Sequence, residues 1–302
     1  MKKLIYAIIS AGLILSLAAF TMVKHYKGVF AKSNLVAWCI VPYDVKERNA
    51  EQRAQMLNKL GITKLAYDWR DKHIPYFDEE LKALKKHNIK LQAFWYMSGP
   101  DPQHDANLNT ILNVLKQNNV KTQLWLMMIG VDMTNMTQQQ KIDTLSKPVK
   151  YIAEQAAKIG CTVGLYNHGG WYGEPENQLA IVKNLKMPNI GMVYNFHHAE
   201  EQVKRFPKFY PQMLPYLYTV NISGLKGSDP AKVVPIGEGD SEYQMVRQIL
   251  KSSYKGPIGI INEETHPDAE QGLLINMHGL EKVLTTIGDT QDLRTYQSSG
   301  SK

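Results

Sequence analysis

Cysteine is scarce in this chain, with only Cys39 and Cys161 among 302 residues. Two cysteines allow at most one disulfide, so a disulfide-rich scaffold is excluded. Both cysteines lie in predicted strands with apolar neighbours, where buried free thiols are common. We therefore expect two free thiols, and a single disulfide is the alternative.

Surplus positive charge is also limited. The formal net charge is +7, and the first 31 residues hold four lysines and no acid, which leaves +3 for the remainder. Nucleic-acid-binding domains carry a basic patch or stripe, often with interleaved aromatic residues, and none is found here. We therefore expect no nucleic-acid partner.

The amino-terminal segment resembles a bacterial export signal. Lys2 and Lys3 precede an apolar run over residues 4–23. Sites for cleavage follow Ala18 and Ala31, and because about 20 apolar residues also span a bilayer, an uncleaved anchor is the alternative. No cysteine follows the run, which argues against a lipoprotein. Residues 1–31 are thus predicted to be a signal peptide or anchor, the only contact with a membrane. The domain is expected in the periplasm or facing it.

Eight apolar strands alternate with eight helices along the rest of the chain. Gly or Asn stands at the helix-to-strand junctions Gly61, Asn88, Asn119 and Gly160, as a left-handed helix end requires. The predicted strands are 35–41, 64–69, 91–96, 123–128, 162–166, 190–194, 217–221 and 258–261. The predicted helices are 51–60, 79–87, 107–117, 138–159 with an interruption at Pro148, 177–185, 200–206, 241–250 and 268–287.

This alternation predicts an α/β fold, a (β/α)₈ TIM barrel forming a single domain over residues 32–289. A doubly wound sheet is the alternative, but no glycine-rich fingerprint follows the first strand, where Val41-Pro42-Tyr43-Asp44 stands instead. Residues 290–302 form a polar tail that we expect to be disordered.

Polar residues cluster where the predicted strands end, and in a barrel these ends converge on the functional face. Imidazole and carboxylate groups from several strands would suit a divalent metal such as Mn, Co or Zn. The candidates are Asp68, Trp69, Arg70, His73, Asp132, Asn167, His168, Trp171, Glu174, Asn195, His197, His198, Asn221, Lys226, Asn262, Glu263, Glu264 and His266.

Several candidates also have purely structural interpretations. His168 begins a His-Gly-Gly turn and could only brace that loop, and adjacent His197 and His198 cannot both point into the mouth. Trp69 and Trp171 stand at strand ends beside polar residues, so they are predicted to form an aromatic wall for a sugar, with barrel packing as the alternative.

Three segments resemble the xylose isomerase-like barrels, which include sugar phosphate isomerases and epimerases and are related to the type 2 AP endonucleases. They are LYNHGGWYGEPEN at 165–177, VYNFHHA at 193–199 and PIGEGD at 235–240, and the resemblance extends from about residue 35 to 288. It implies one divalent metal held by Glu, Asp, His and Glu from strands five to eight.

The chain departs from that ligand pattern. Tyr166 or Asn167 stands at the strand-five Glu position, Asn195 replaces the strand-six Asp, and Asn221 stands at the strand-seven His position. His198 and a strand-eight Glu, Glu263 or Glu264, match by residue type. By resemblance, the metal ligands are predicted to be His168, His198 and Glu263.

The resemblance implies a carbohydrate-active isomerase, epimerase or lyase that removes a proton next to a sugar carbonyl. Glu263 or His168 would act as the general base, and a metal or Lys226 would polarise the carbonyl. The predicted sugar-binding residues are Trp69, Asn167, Trp171, Asn195 and Asn221. Export favours a free sugar or a 3-keto sugar or glycoside over a sugar phosphate. The alternative is a non-catalytic sugar-binding barrel, and DNA repair is disfavoured by charge and export.

Overall fold

The structure is a computed structural model that describes residues 28–263 and 265–297. Most of the predicted export signal, the Glu264 alternative and residues 298–302 therefore lie outside the described residues.

Eight parallel strands close into a barrel, which confirms the predicted fold. The order around the barrel is β1-β10-β7-β6-β5-β4-β3-β2, with β1 paired to both β2 and β10. The barrel strands are β1 Leu35–Trp38, β2 Lys64–Tyr67, β3 Lys90–Ser98, β4 Gln123–Met128, β5 Thr162–Tyr166, β6 Ile190–Asn195, β7 Leu217–Ile222 and β10 Ile258–Ile261. All carboxyl ends lie at one face, where ligands bind in this fold.

Helices connect the strands and cover the outside of the barrel. They are α1 Ala50–Leu60, α2 Phe77–Lys86, α3 Ala106–Gln117, α4 Gln138–Ala157, α5 Gly170–Gly173, α6 Pro175–Leu185, α7 Phe206–Met213, α8 Glu242–Lys251, α9 Ala269–Ile287 and α10 Thr290–Gln297. The predicted junction residues Gly61, Asn88, Asn119 and Gly160 all have positive φ, between 52° and 75°. The sequence pattern therefore marked real left-handed helix ends.

Two helices that contain prolines differ from the sequence prediction. Helix α4 runs without interruption through Pro148, which is buried on its inner face. The helix expected at 200–206 instead starts at Phe206 and ends at Met213, because Pro207 lies in its first turn, where the missing N–H costs nothing.

A hairpin absent from the sequence prediction follows β7. Strand β8, Gly224–Lys226, pairs antiparallel with β9, Lys232–Val234. It was missed because three-residue strands give almost no periodic signal.

The prediction of a disordered tail is wrong over residues 290–297, because these residues form helix α10. Its Asp292 Oδ2 accepts a hydrogen bond from Phe30 N at 2.8 Å, and Tyr296 Oη donates to Phe30 O at 2.7 Å. Thr295 Oγ1 accepts from Lys32 N at 2.9 Å. Residues 28–31 therefore belong to the folded body, with Phe30 fully buried, and the domain boundary predicted after Ala31 is corrected to lie at or before Gly28.

The barrel interior beneath the functional face is filled by large rings. Trp38 contacts Trp125 edge to face, with ring centroids 4.9 Å apart, and Trp125 stacks on Tyr166 at 6.0 Å. Both cysteines are buried and free, as expected. No helix within the described ranges has the length and apolar character needed to cross a membrane.

Candidate active site at the barrel mouth

A cavity of about 240 Å³ opens at the carboxyl ends of the barrel strands. Residues from β1, β2, β3, β4, β5, β6 and β10, or from the loops that follow them, contribute to its wall. They are Trp38, Cys39, Tyr43, Asp68, Arg70, Trp95, Met97, Met127, Tyr166, His168, His198 and Glu263. The cavity therefore combines aromatic and thioether surface with two carboxyl groups, a guanidinium and two imidazoles.

Strand alternation explains most of this set. Because successive side chains of a strand point to opposite sides, residues two apart share a face. Asp68 and Arg70 line the cavity after β2, whereas Trp69 between them does not. The pairs Trp95 with Met97 and Tyr166 with His168 follow the same rule. Cys39 lines the cavity next to Trp38 because its backbone turns to a φ of 55° just past β1.

Glu263 is at the centre of a hydrogen-bonded group at the end of β10. Its Oε2 accepts from Cys39 Sγ at 3.5 Å and lies 3.9 Å from His197 Nε2. A hydrogen bond with Glu263 adds to burial in raising the pKa of Tyr43. Burial raises the pKa of the Cys39 thiol well above its usual range, with added contributions from Asp68 and Glu263. The thiol is thus a neutral donor that orients the carboxylate.

Tyr166 lines the cavity at the end of β5. It accepts a hydrogen bond from Trp38 Nε1 at 3.2 Å and another from Asn195 Nδ2. Asn195 Oδ1 accepts from His197 N, which fixes the orientation of the amide. Because both acceptor positions of the hydroxyl are used, its proton is left to donate elsewhere.

His168 and His198 lie against each other at the β5 and β6 side, with ring centroids 4.1 Å apart. His198 also contacts Tyr166 edge to face at 5.8 Å. Burial, with smaller contributions from the two neighbouring histidines, lowers the pKa of His198 to about 3. His198 is therefore a neutral imidazole at physiological pH. Of the adjacent histidines, His198 lines the cavity and His197 is buried beside Glu263, as their adjacency suggested.

Asp68 and Arg70 form the β2 side of the cavity. Asp68 is 2% exposed; its Oδ1 accepts from Val41 N at 3.3 Å, and its Oδ2 has no partner among the described residues. Burial raises the pKa of Asp68 to about 8, although Arg70 and other donors act in the opposite direction. The Arg70 guanidinium lies 5.7 Å from the Tyr43 ring centroid and 5.3 Å from that of Trp95.

The raised pKa of Asp68 predicts a dependence of stability on pH. A carboxyl whose pKa is raised by folding stabilises the protein fully below its unfolded pKa of 3.8, and this contribution is lost as the pH rises through about 8. The free energy of unfolding of Asp68→Asn minus that of wild type should therefore rise by about 3–6 kcal/mol between pH 4 and pH 8.5. Urea unfolding of both chains across this range measures the difference. Asp143→Asn, at an exposed carboxylate of α4, should follow wild type; parallel pH profiles for wild type and Asp68→Asn would contradict the prediction.

The two predicted tryptophans and the predicted lysine do not line the cavity. Trp69 is buried in the barrel wall, with Nε1 donating to Trp95 O at 2.7 Å and its ring against Phe77. Trp171 lies in α5 and donates to Gln138 Oε1 at 3.0 Å. Lys226 is exposed on the β8–β9 hairpin. Trp69 and Trp171 therefore do not form the predicted aromatic wall of this cavity. Lys226 is not placed to contact a carbonyl in it.

The three predicted asparagines are buried and do not line the cavity. Asn167 Nδ2 donates to Asn195 O at 3.0 Å, and Asn195 N donates to Asn167 Oδ1 at 2.6 Å, so this pair ties β5 to β6. Asn221 is fully buried, and neither of its side-chain polar atoms has a partner among the described residues. Asn195 acts on the cavity indirectly, through the Tyr166 hydroxyl.

The donor set does not fit the metal site that the family resemblance implied. Tyr166 and two amides stand on β5, β6 and β7 where anionic or imidazole ligands are expected, and both side-chain atoms of Asn195 are engaged with protein partners. Within residues 28–263 and 265–297, no three His, Cys, Asp or Glu side chains form a group able to hold a metal ion. His168, His198 and Glu263 thus share the cavity without forming the predicted ligand group.

A larger cavity, of about 470 Å³, lies beside the loop after β1 and the start of α2. Its cations are ion-paired: Arg48 with Asp44 at 2.7 Å, Arg53 with Glu80 at 3.1 Å and Lys72 with Glu47 at 2.8 Å. The smaller cavity at the strand ends contains the unpaired groups and is the better candidate.

The closed barrel of eight parallel strands, with a cavity at the carboxyl ends of the strands, is a TIM barrel. A sequence model described as "Xylose isomerase-like TIM barrel" matches residues 44–282. The chain belongs to this family.

Solved structures with the same fold share little sequence with it. The IolI protein, solved with a zinc atom, is 14% identical, with a TM-score of 0.65 over 83% of this chain and 98% of that one. A D-tagatose 3-epimerase-like protein is 16% identical, with a TM-score of 0.60 over 83% and 99%. The 3-keto-D-glucoside 4-epimerase YcjR of E. coli is 12% identical, with a TM-score of 0.61 over 84% and 100%. No curated protein matches the chain by sequence.

Proposed function

We propose that this protein is a carbohydrate-active isomerase, epimerase or lyase that removes a proton next to a sugar carbonyl. The observation that carries this proposal is the placement of the Glu263 carboxylate and the Tyr166 hydroxyl in one aromatic-walled cavity. A base and a hydrogen-bond donor that face the same small space are what enolisation requires. The sugar epimerases of the same fold support the substrate class.

Glu263 is the proposed general base. It removes the proton from the carbon next to the carbonyl; the electron pair of that C–H bond forms a C=C bond, and the π pair of the carbonyl moves onto its oxygen. Protonation of the same carbon on its opposite face by water gives an epimer, and Glu263 then releases its proton to solvent. Return of the proton from Glu263 to the former carbonyl carbon, while the hydroxyl on the neighbouring carbon gives its proton to the charged oxygen, gives an isomer. Expulsion of a substituent at the β-carbon gives a lyase. Cys39 Sγ donates a hydrogen bond to the Glu263 carboxylate, and His197 Nε2 lies 3.9 Å from it.

Tyr166 is the proposed donor to the oxygen on which negative charge develops. Burial raises its pKa well above 10, so the hydroxyl remains protonated at neutral pH. Trp38 and Asn195 already donate to its oxygen, which directs the remaining proton away from them. Preorganised donors of this kind act strongly in a water-excluded site. Neutral His198 beside Tyr166 offers a second group for a sugar hydroxyl.

The cavity volume limits the size of the sugar. About 240 Å³ lies below the roughly 300–1,000 Å³ typical of sites for drug-sized ligands. A single sugar ring is therefore the proposed occupant, as a free or 3-keto sugar or glycoside. The apolar run over residues 4–23 behind Lys2 and Lys3 supports export of this domain toward the periplasm.

Tyr166→Phe should lower kcat by about 10²–10³-fold, the usual effect of removing one donor to a developing oxyanion. The fold should be retained because the ring packing on Trp125 is unchanged. Steady-state kinetics on any sugar that wild type converts would measure this effect. Tyr216→Phe, which changes a tyrosine outside the cavity wall, serves as the control. A Tyr166→Phe enzyme with wild-type kcat would show that the hydroxyl has no part in the reaction.

Incubation with aldoses, ketoses and 3-keto-glycosides, followed by NMR of the sugars, tests the function itself. We expect conversion of at least one single-ring sugar. The incomplete family ligand set favours one competing function, a non-catalytic sugar-binding barrel. Saturable binding without conversion of any sugar in this panel would establish that alternative and overturn the proposal.

A further inference from the structure

We propose that Asp68 and Arg70 form a subsite for a carboxylate group, and that the substrate is therefore a sugar acid of the uronate or keto-aldonate class. This inference rests on the proposed function and specifies its substrate. Both side chains line the cavity from the end of β2, across the mouth from His168 and His198. The metal ligands that the family resemblance implies come from β5, β6, β7 and β10, and none is on this side.

Arg70 has no ion-pair partner among the described residues. One guanidinium nitrogen donates to Trp69 O at 2.8 Å, and another lies 3.4 Å from Tyr43 Oη. The faces of Tyr43 and Trp95 hold the group by cation–π contact. A guanidinium has five N–H donors, so several are left for a ligand in the cavity. A planar, preorganised guanidinium matches the two oxygens of a carboxylate.

Asp68 supplies the second observation, a buried polar atom without a partner. Its Oδ2 is enclosed in the cavity wall and is not hydrogen-bonded within the described part of the chain. Burial raises the pKa of this carboxyl to about 8 although Arg70 acts in the opposite direction, so the carboxyl is protonated at neutral pH. A protonated carboxyl donates a hydrogen bond, so Asp68 and Arg70 together present donors to one anionic group.

The surrounding charges favour a carboxylate over a phosphate. Arg70 is the one residue of the cavity lining with a permanent positive charge, and Glu263 is an acidic residue of the same lining. One guanidinium and one neutral donor balance a single negative charge. A phosphate ester, with up to two charges, would face Glu263 with too few donors.

Ligand binding to the intact protein tests this subsite. Trp38 and Trp95 lie in the cavity wall, so their fluorescence reports occupancy, and calorimetry gives Kd. The matched probes are D-glucuronate with D-glucose, and D-galacturonate with D-galactose, with glucose 6-phosphate as the phosphate probe. We expect each acid to bind at least tenfold more tightly than its neutral partner and more tightly than the phosphate.

The variants separate the subsite from general electrostatics. Arg70→Gln should weaken binding of the acids by about ten- to a hundredfold and change binding of the neutral sugars by less than about threefold. Asp68→Asn, which keeps a neutral donor, should retain the preference for acids. Lys72→Gln removes a cation two residues away that is paired with Glu47 outside this cavity, and it should behave as wild type.

Equal affinity for acids and neutral sugars, tighter binding of the phosphate, or no binding of any acid would overturn the inference. A similar loss of affinity for acids and for neutral sugars in Arg70→Gln would also overturn it. These failures differ from failure of the proposed function. If acids bind through Arg70 but are never converted, the subsite is supported and the proposed enzyme activity is contradicted. Conversion of neutral sugars that is insensitive to Arg70→Gln would leave the activity without the subsite.

Discussion

Glu263→Gln is expected to lower kcat by about 10²–10⁴-fold, the loss typical of removing a general base. Glutamine keeps the shape of the side chain and an oxygen that accepts from Cys39, but it cannot take up a proton. The Glu263 side chain is 23% exposed, so the free energy of unfolding should change little. Kinetics and urea unfolding of the same preparation measure the two quantities.

Glu201→Gln is the matched control, because Glu201 is an exposed carboxylate outside the cavity. It should retain wild-type kcat. If Glu263→Gln also retains it, Glu263 is not the base. If Glu263→Gln loses activity only because it unfolds, the urea midpoint will have fallen, and that outcome contradicts the expected separation of activity from stability.

A protein that starts at Lys32 is expected to be less stable than one that starts at Gly28 by at least about 3–5 kcal/mol. That is the usual cost of losing a fully buried phenylalanine, here Phe30. The shorter chain also removes the hydrogen bonds of Phe30 with Asp292 and Tyr296 on α10. Urea unfolding of the two purified proteins measures the difference.

Phe30→Ala in the longer protein isolates the side chain and should account for most of the loss. Val45→Ala, at a side chain that is 69% exposed, should have almost no effect. Equal stability of the two starting points would show that residues 28–31 contribute nothing to the barrel. A loss of this size would argue against cleavage after Ala31.

The barrel was predictable because its βα units repeat a strong local signal. Apolar strands of four to nine residues follow left-handed helix ends such as Gly61 and Asn88. Each of these ends is marked in the sequence by one glycine or asparagine. Helix α10 was missed for a physical reason. Its buried face consists of Asp292 and Tyr296, which are polar residues and become inner residues only by bonding to the distant Phe30 backbone.

The site was only partly predictable. The strand ends gave Asp68, Arg70, His168, His198 and Glu263 as candidates, and all five line the cavity. Strand alternation could have shown that Asn167 faces away when His168 faces in, and that Trp69 faces away between Asp68 and Arg70.

Other parts of the site had no local signal. Cys39 enters the wall through a left-handed backbone turn that a cysteine rarely adopts. Tyr43 reaches the cavity from the loop after β1, where it approaches Glu263 and Arg70. The contacts of Cys39 and Tyr43 with Glu263 join residues more than 200 positions apart, and they depend on closure of the barrel between β1 and β10.

Exchange of substrate hydrogen with solvent tests the central claim most directly, namely that Glu263 removes a proton next to a sugar carbonyl. Uronates, ketoses and 3-keto-glycosides are incubated in D₂O with wild type and with Glu263→Gln, and deuterium at each carbon is followed by NMR and mass spectrometry. We expect wild type to incorporate deuterium at the carbon next to the carbonyl, and Glu263→Gln to incorporate almost none at that carbon. Turnover by wild type without deuterium uptake from solvent, or equal uptake by both proteins, would contradict it.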